Sequence, residues 1–63
     1  MFSDMLQRDR KHSGLRIAQV AWHLGITPAA YRRLEEEEAW PTFDTYDRIC
    51  KLFGWPQTFT SGV

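Results

Sequence analysis

The side chains of this 63-residue chain best suited to chemistry are arginines, and the chemistry they suit is anion recognition. Arg32 and Arg33 stand together after Thr27-Pro28-Ala29-Ala30-Tyr31, and Arg16 opens an apolar-periodic segment that also holds Gln19. A guanidinium fork matches phosphate oxygens, and it matches the guanine base edge, where a bidentate contact supplies about 1–3 kcal/mol of discrimination. Catalytic chemistry has no comparable set. Cys50 is alone, His12 and His23 lie in polar surroundings with no paired nucleophile, and there is no glycine-rich phosphate loop. One cysteine forms no internal disulfide, and two distant histidines give no zinc-ligand spacing. A non-enzymatic chain with no metal, no cofactor and no small-molecule substrate is therefore expected.

Eight Lys/Arg balance eight Asp/Glu, yet residues 1–33 carry +4 and residues 34–63 carry −4. A neutral total is weak support for nucleic-acid binding, which draws on basic surface, but a polarised molecule can still present one basic face. Surface charge placed by chance is the simpler alternative. With 43% hydrophobic residues there is material for a core, although a domain this small hides only about 60% of its unfolded surface. No stretch approaches the ~20 apolar residues of a membrane span. The opening MFSDMLQRDR has neither a basic leader with an apolar run nor a small-residue cleavage site. A cytoplasmic protein with no membrane partner is expected.

Four helices are predicted to position these residues. The first spans Phe2 to His12, with Ser3 and Asp4 suited to its N-cap and first turn, and Ser13-Gly14 ends it. The second runs from about Arg16 to Leu24; Ile17, Val20, Ala21 and Leu24 form one apolar stripe, which leaves Trp22 pointing outward. Gly25 breaks that helix and Ile26 anchors the turn. The third starts with Thr27 as N-cap and Pro28 at the first helical position. Thr27, Ala30, Tyr31 and Leu34 turn inward, and Pro28, Ala29, Arg32 and Arg33 outward. Helical propensity continues through the glutamates to about residue 37, and Ala39-Trp40-Pro41 stops it. The fourth follows Thr42, with Phe43, Tyr46, Ile49, Cys50 and Phe53 inward, and Asp44/Arg48 and Asp47/Lys51 as outward i, i+4 pairs. Gly54 closes it and Trp55 folds back before Pro56. Residues 1–56 read as one all-α domain and 57–63 as a tail.

Two short helices joined by a tight glycine turn, the second opening Thr-Pro, make a helix-turn-helix, whose second helix enters the DNA major groove. From Arg10 to Pro56, about three quarters of the chain, the sequence resembles the phage-repressor helix-turn-helix family of repressor- and Cro-like, XRE-type domains. Arg10, Gly14-Leu15, Val20-Ala21, Leu24-Gly25-Ile26-Thr27, Tyr31, Leu34-Glu35, Pro41, Thr45-Tyr46, Ile49, Leu52 and Gly54 carry that resemblance without a gap. It implies a small four- to five-helix phage-repressor-like fold, double-stranded DNA as partner, and a homodimer that reads two half-sites about one helical turn apart. It also implies an ion pair between Arg10 and Glu35; solvated charges at both positions are the alternative.

The resemblance places DNA contacts at Arg16, Gln19, Thr27, Pro28, Ala29, Arg32 and Arg33, with Arg33 the foremost base reader. The chain departs from the family pattern at Ile17, Pro28 and Ala29, where relatives use a phosphate-gripping glutamine and polar base readers. Pro28 and Ala29 offer only apolar contact with a thymine methyl. Arg33 could instead pair with Glu36 or Glu37. The run Glu36-Glu37-Glu38 occupies a place where relatives often carry a glycine, and it would repel DNA or serve as a solvated helix end. Trp22, Trp40, Trp55 and Phe59 form a possible partner surface, with Trp55 and Phe59 also suited to capping the core or a dimer seam. The expected function is a DNA-binding transcriptional regulator of repressor type. A helix-turn-helix-derived protein-interaction module is the alternative.

Overall fold

The computed structural model describes residues 2–56. It contains α1 (Phe2–His12), α2 (Ile17–Leu24), α3 (Pro28–Glu35) and α4 (Phe43–Phe53), and no strand among the described residues. The all-α class follows. The expected tail, 57–63 with Phe59, lies outside the described residues.

Leu6 of α1, Val20, Ala21 and Leu24 of α2, Tyr31 and Leu34 of α3, and Ile49 of α4 form the buried core. They are the stripes that 3.6-residue periodicity aligns on one face of each helix. α3 packs chiefly on α2 and also on α1, while α4 closes over α2. Cys50 is buried beside Ile49, and Phe2, Ile17, Phe53 and Trp55 pack half-buried against the core edge.

The turn between α2 and α3 is fixed at both ends. Gly25 takes φ +71°, the left-handed conformation that closes α2, and the Ile26 N–H donates back to the Ala21 carbonyl at 3.1 Å. A Cβ at Gly25 would stand 2.7 Å from Arg48 Nη1. That guanidinium donates to the Leu24 carbonyl at 3.1 Å, so α4 reaches across and satisfies the C-terminal end of α2. Thr27 then caps α3, its Oγ1 accepting the Ala30 N–H at 3.0 Å, with Pro28 in the first turn.

Several local expectations are corrected. Ser3 is not an N-cap: it sits inside α1, buried, and its hydroxyl donates to Glu37 at 2.6 Å. Arg16 precedes α2 as its N-cap, with extended backbone at φ −87°, ψ 160°. Thr27 is exposed rather than inward, because the capping geometry turns it to the helix end. α3 stops at Glu35, not near residue 37, since Glu37 adopts φ +62°. Phe43, expected inward, is 75% exposed, because the core contacts of α4 are made by its later turns. Arg48 does not pair with Asp44; it bonds the Leu24 carbonyl instead. The Asp47–Lys51 pair is formed, at 3.1 Å.

One polar cluster ties the helices together. Arg10 of α1 donates to both carboxylate oxygens of Glu35, through Nε at 2.6 Å and Nη2 at 3.1 Å. Its Nη1 reaches the Leu15 carbonyl at 3.3 Å. The Tyr31 hydroxyl donates to Glu35 at 2.5 Å, and Gln7 donates to the Glu35 backbone carbonyl at 3.3 Å. The two ionic side chains retain 14% and 6% exposure. Among the described residues no buried side-chain nitrogen or oxygen lacks a partner. Burial, and then the hydrogen bond to Glu35, push the Tyr31 phenol far above its ordinary range.

Three outcomes are expected from these contacts. Glu35→Ala strands the buried Arg10 charge at a cost of ~3–5 kcal/mol, which approaches the whole stability of a domain held by roughly 0.05–0.15 kcal/mol per residue. Circular dichroism should find it largely unfolded at 25 °C, and a cooperative melt near that of the parent would show the pair to be dispensable. Tyr31→Phe leaves the Arg10 bonds intact and should cost about 1–2 kcal/mol. Because the folded phenol pKa is raised, its stabilising contribution is full below about pH 10 and is lost as pH climbs toward the folded value. An ultraviolet absorbance titration should show Tyr31 ionising only together with unfolding.

Glu37 generates the third outcome, since a β-carbon in the left-handed region costs roughly 1–2 kcal/mol. Glu37→Gly alone gives back part of any gain by leaving the Ser3 hydroxyl, buried to 3% exposure, without its acceptor. Ser3→Ala combined with Glu37→Gly removes both the strain and the orphan, and its urea midpoint should correspond to about 1 kcal/mol more stability. A lower midpoint than the parent would show that the Ser3–Glu37 bond outweighs the strain.

Candidate nucleic-acid interface

The outer face of α3 begins at its capped end. Pro28 lacks an N–H, the Ala30 N–H is held by Thr27 Oγ1 at 3.0 Å, and the Tyr31 N–H by the Thr27 carbonyl at 3.0 Å. The Ala29 N–H therefore stands at the positive end of the helix dipole with no intrahelical acceptor, a donor suited to a phosphate oxygen. Thr27, Pro28 and Ala29 are all exposed around it. The Thr27 hydroxyl is occupied as a cap acceptor and keeps its own proton to donate.

Arg32 and Arg33 follow on the same exposed face. Glu36 and Glu37 stand three and four residues beyond Arg33, the spacing of a helical ion pair, yet no such pair forms among the described residues. The reason is backbone geometry. α3 ends at Glu35, and Glu37, at φ +62°, sends its carboxylate to Ser3 of α1 instead. Both guanidiniums remain available, each with five donors.

On α2, Gln19 Oε1 accepts the Arg16 N–H at 2.8 Å. This locks the entry of the helix, keeps the two residues together, and leaves the Gln19 amide NH₂ and the Arg16 guanidinium facing solvent. Ile17 is half-buried and packs against the core, so it offers nothing to a phosphate. Its place in the apolar stripe explains why no polar side chain stands there.

The aromatic residues divide rather than gather. Trp22 is 78% exposed on α2, edge-on to His23 at 5.3 Å between ring centroids, beside a shallow groove also lined by Ala18 and Gln19. Trp40 is 81% exposed and borders a groove with Arg33 and Thr45. Trp55 is half-buried, packs against the core, and donates its indole N–H to Asp9. That bond holds the Asp9 carboxyl below its usual range. Trp40 and Trp55 both meet the Phe2 ring, at 6.1 and 6.0 Å; Trp22 stands apart on α2.

Periodicity found the arginines, but it missed Phe43 as a surface residue and Glu37 as a strained one. The only signal for Glu37 is that the run Glu36-Glu37-Glu38 stands where the family it resembles often carries a glycine. Among the described residues no group of three or more His, Cys, Asp or Glu is placed to hold a metal ion. No described helix is long and apolar enough to cross a membrane.

No curated protein and no solved structure matches the chain. A family model described as a helix-turn-helix domain matches residues 2–59, a span that takes in all four helices, the glycine turn and the capped start of α3. The chain belongs to the helix-turn-helix domain family.

Proposed function

We propose that this protein is a sequence-specific DNA-binding transcriptional regulator of repressor type, acting as a homodimer with α3 in the major groove. The observation that carries the reading is the pair Arg32 and Arg33, exposed on the outer face of α3 and unneutralised by the adjacent glutamates. Arg33 is assigned a guanine edge, where a bidentate contact supplies about 1–3 kcal/mol of discrimination. Arg32, Arg16, the Gln19 amide and the Ala29 N–H are assigned phosphate oxygens, which fix register without reading sequence. Thr27 and Pro28 line the approach, and Pro28 and Ala29 present small apolar surfaces to a thymine methyl.

The affinity of one copy is low in this reading. Few cations face the duplex, and Glu36 and Glu38 are exposed close to the end of α3. A second copy on an adjacent half-site supplies the missing affinity, which is why the reading includes a homodimer. A regulator of this bacterial or phage-encoded type acts in the cytoplasm.

Fluorescence anisotropy with labelled mixed duplex at low salt tests the proposal. Binding should weaken steeply as salt rises, with a log–log slope near −0.9 per phosphate neutralised. Arg32→Ala/Arg33→Ala should shallow that slope and should lose any enrichment of a preferred site from a random duplex library, with each phosphate contact removed worth about one unit of slope. Absence of binding at high micromolar protein would overturn the reading, and equal enrichment by parent and variant would overturn the role of α3.

A further inference from the structure

An exposed aromatic surface lies where the start of α1, the α3–α4 loop and the first turns of α4 meet, and Trp40 at its edge borders a groove with Arg33. Trp40 and Phe43 are 81% and 75% exposed. The Phe2 ring lies 6.1 Å from both the Trp40 and Tyr46 rings, and Phe43 lines a cleft with Trp40 and Tyr46, so the four aromatics form one continuous patch. Two shallow clefts open on it, one between Trp40 and the Phe2–Ser3–Glu37 side, the other between Trp40, Phe43 and Tyr46. Contiguous exposed aromatic surface of this kind marks interaction sites, and exposed Trp is enriched at interface centres.

Charge decides what fits there. Residues 34–47 contain six Asp/Glu and no Lys or Arg, and residues 2–7 contain Asp4 and no cation. Glu37 lines one cleft directly. Asp44 follows Phe43, and Asp47 stands one turn from it on α4. Of the chain's eight side-chain carboxylates, Asp9 is engaged with Trp55, Glu35 with Arg10 and Asp47 with Lys51. The patch is thus an aromatic floor inside an acidic rim. A nucleic-acid backbone is repelled by it. A second copy meeting it face to face would bring two identical acidic rims together, since a two-fold interface pairs each patch with itself.

We infer that the Phe2–Trp40–Phe43–Tyr46 surface docks a Lys/Arg-bearing apolar segment of another protein. The partner's cations face Glu36, Glu37, Glu38 and Asp44. Its aliphatic side chains fill the two clefts, and one ammonium or guanidinium lies over the Trp40 indole, the strongest cation–π acceptor among side chains. The surface does not depend on the DNA reading, because it shares none of the residues assigned to the duplex.

The test uses the full chain and two synthetic amphipathic helical peptides of identical pattern, one built from Lys and Leu, the other from Glu and Leu. Isothermal titration should show saturable binding of the Lys/Leu peptide, weakened by salt, and none of the Glu/Leu peptide. Trp40→Ala/Phe43→Ala removes exposed side chains and should retain the parent's helical circular dichroism. It should lower peptide affinity about tenfold or more, and Phe43→Ala alone should weaken peptide binding with duplex binding unchanged. Equal peptide binding by parent and variant would overturn the inference, as would binding of the Glu/Leu peptide. A dimer in sedimentation that Trp40→Ala/Phe43→Ala converts to monomer would assign the patch to a second copy and overturn it. Peptide binding that appears only after Phe59→Ala would assign it to the chain's own C-terminal residues and overturn it equally.

Discussion

Glu35 accepts three side-chain hydrogen bonds at its carboxylate, two from Arg10 and one from Tyr31, while its backbone carbonyl accepts from Gln7. Those donors lie on α1 and one turn back on α3, so a single residue fixes both where α3 ends and how α1 lies against it. A buried charge is tolerable only when its partners are complete, and here every donor is supplied by a helix that also contributes to the core. The apolar stripes alone define faces but not a unique rotation of one helix against the next. The bidentate Arg10–Glu35 geometry removes that freedom, since parallel N–H···O bonds demand one orientation. The arginine at the end of α1 and the glutamate at the end of α3 thereby set the direction in which the outer face of α3 looks.

The same requirement to satisfy polar groups shapes what surrounds that face. α2 ends at Gly25, leaving carbonyls without intrahelical donors, and Arg48 reaches from α4 to the Leu24 carbonyl rather than to Asp44 on its own helix. An exposed i, i+4 ion pair stabilises by only about 0.3–0.5 kcal/mol, whereas a partly buried carbonyl at the negative end of a helix dipole gains more from a cation. Beyond α3, Glu37 turns into the left-handed region and delivers its carboxylate to the buried Ser3 hydroxyl. Two long-range hydrogen bonds thus redirect charges that local spacing would have paired. One consequence is that Arg33 faces solvent instead of a glutamate.

These particulars explain what could be read from the residues and what could not. The stripes at Val20, Ala21, Leu24 and at Tyr31, Leu34 are local and periodic, and so are the signals of Gly25 and of Thr27-Pro28. Four helices and their inward faces follow from them. Rules with a range of one helical turn fail where a longer-range partner competes. Ser3 has the chemistry of a cap, but a carboxylate thirty-four residues away claims it. Arg48 has Asp44 in reach, but an orphan carbonyl on α2 claims it. Phe43 fits the inward period of α4, but it opens that helix, ahead of the turns that meet the core, and the ring stays exposed. The candidate site was legible in its residue types, because Arg32 and Arg33 fall on the face opposite the stripe. Its availability was not, because that depends on where Glu37 points.

The division of charge along the chain becomes a division of surface. Arg16, Arg32 and Arg33 are exposed on the helix-turn-helix, and Glu36, Glu37, Glu38 and Asp44 are exposed on the stretch that carries Trp40 and Phe43. With a net charge of zero, such a molecule has no long-range attraction for a polyanion, and at physiological salt fields fade over about 8 Å. In the proposed reading, binding depends on orientation at short range: a duplex facing α3 meets Arg32 and Arg33, and it meets the acidic rim when the molecule is turned. In that reading non-specific DNA binding is weak, because it rests on the uniform basic surface that the chain lacks. Discrimination in such a molecule rises as the background falls, and affinity has to come from a second contact on the same assembly, where effective concentration replaces electrostatic steering.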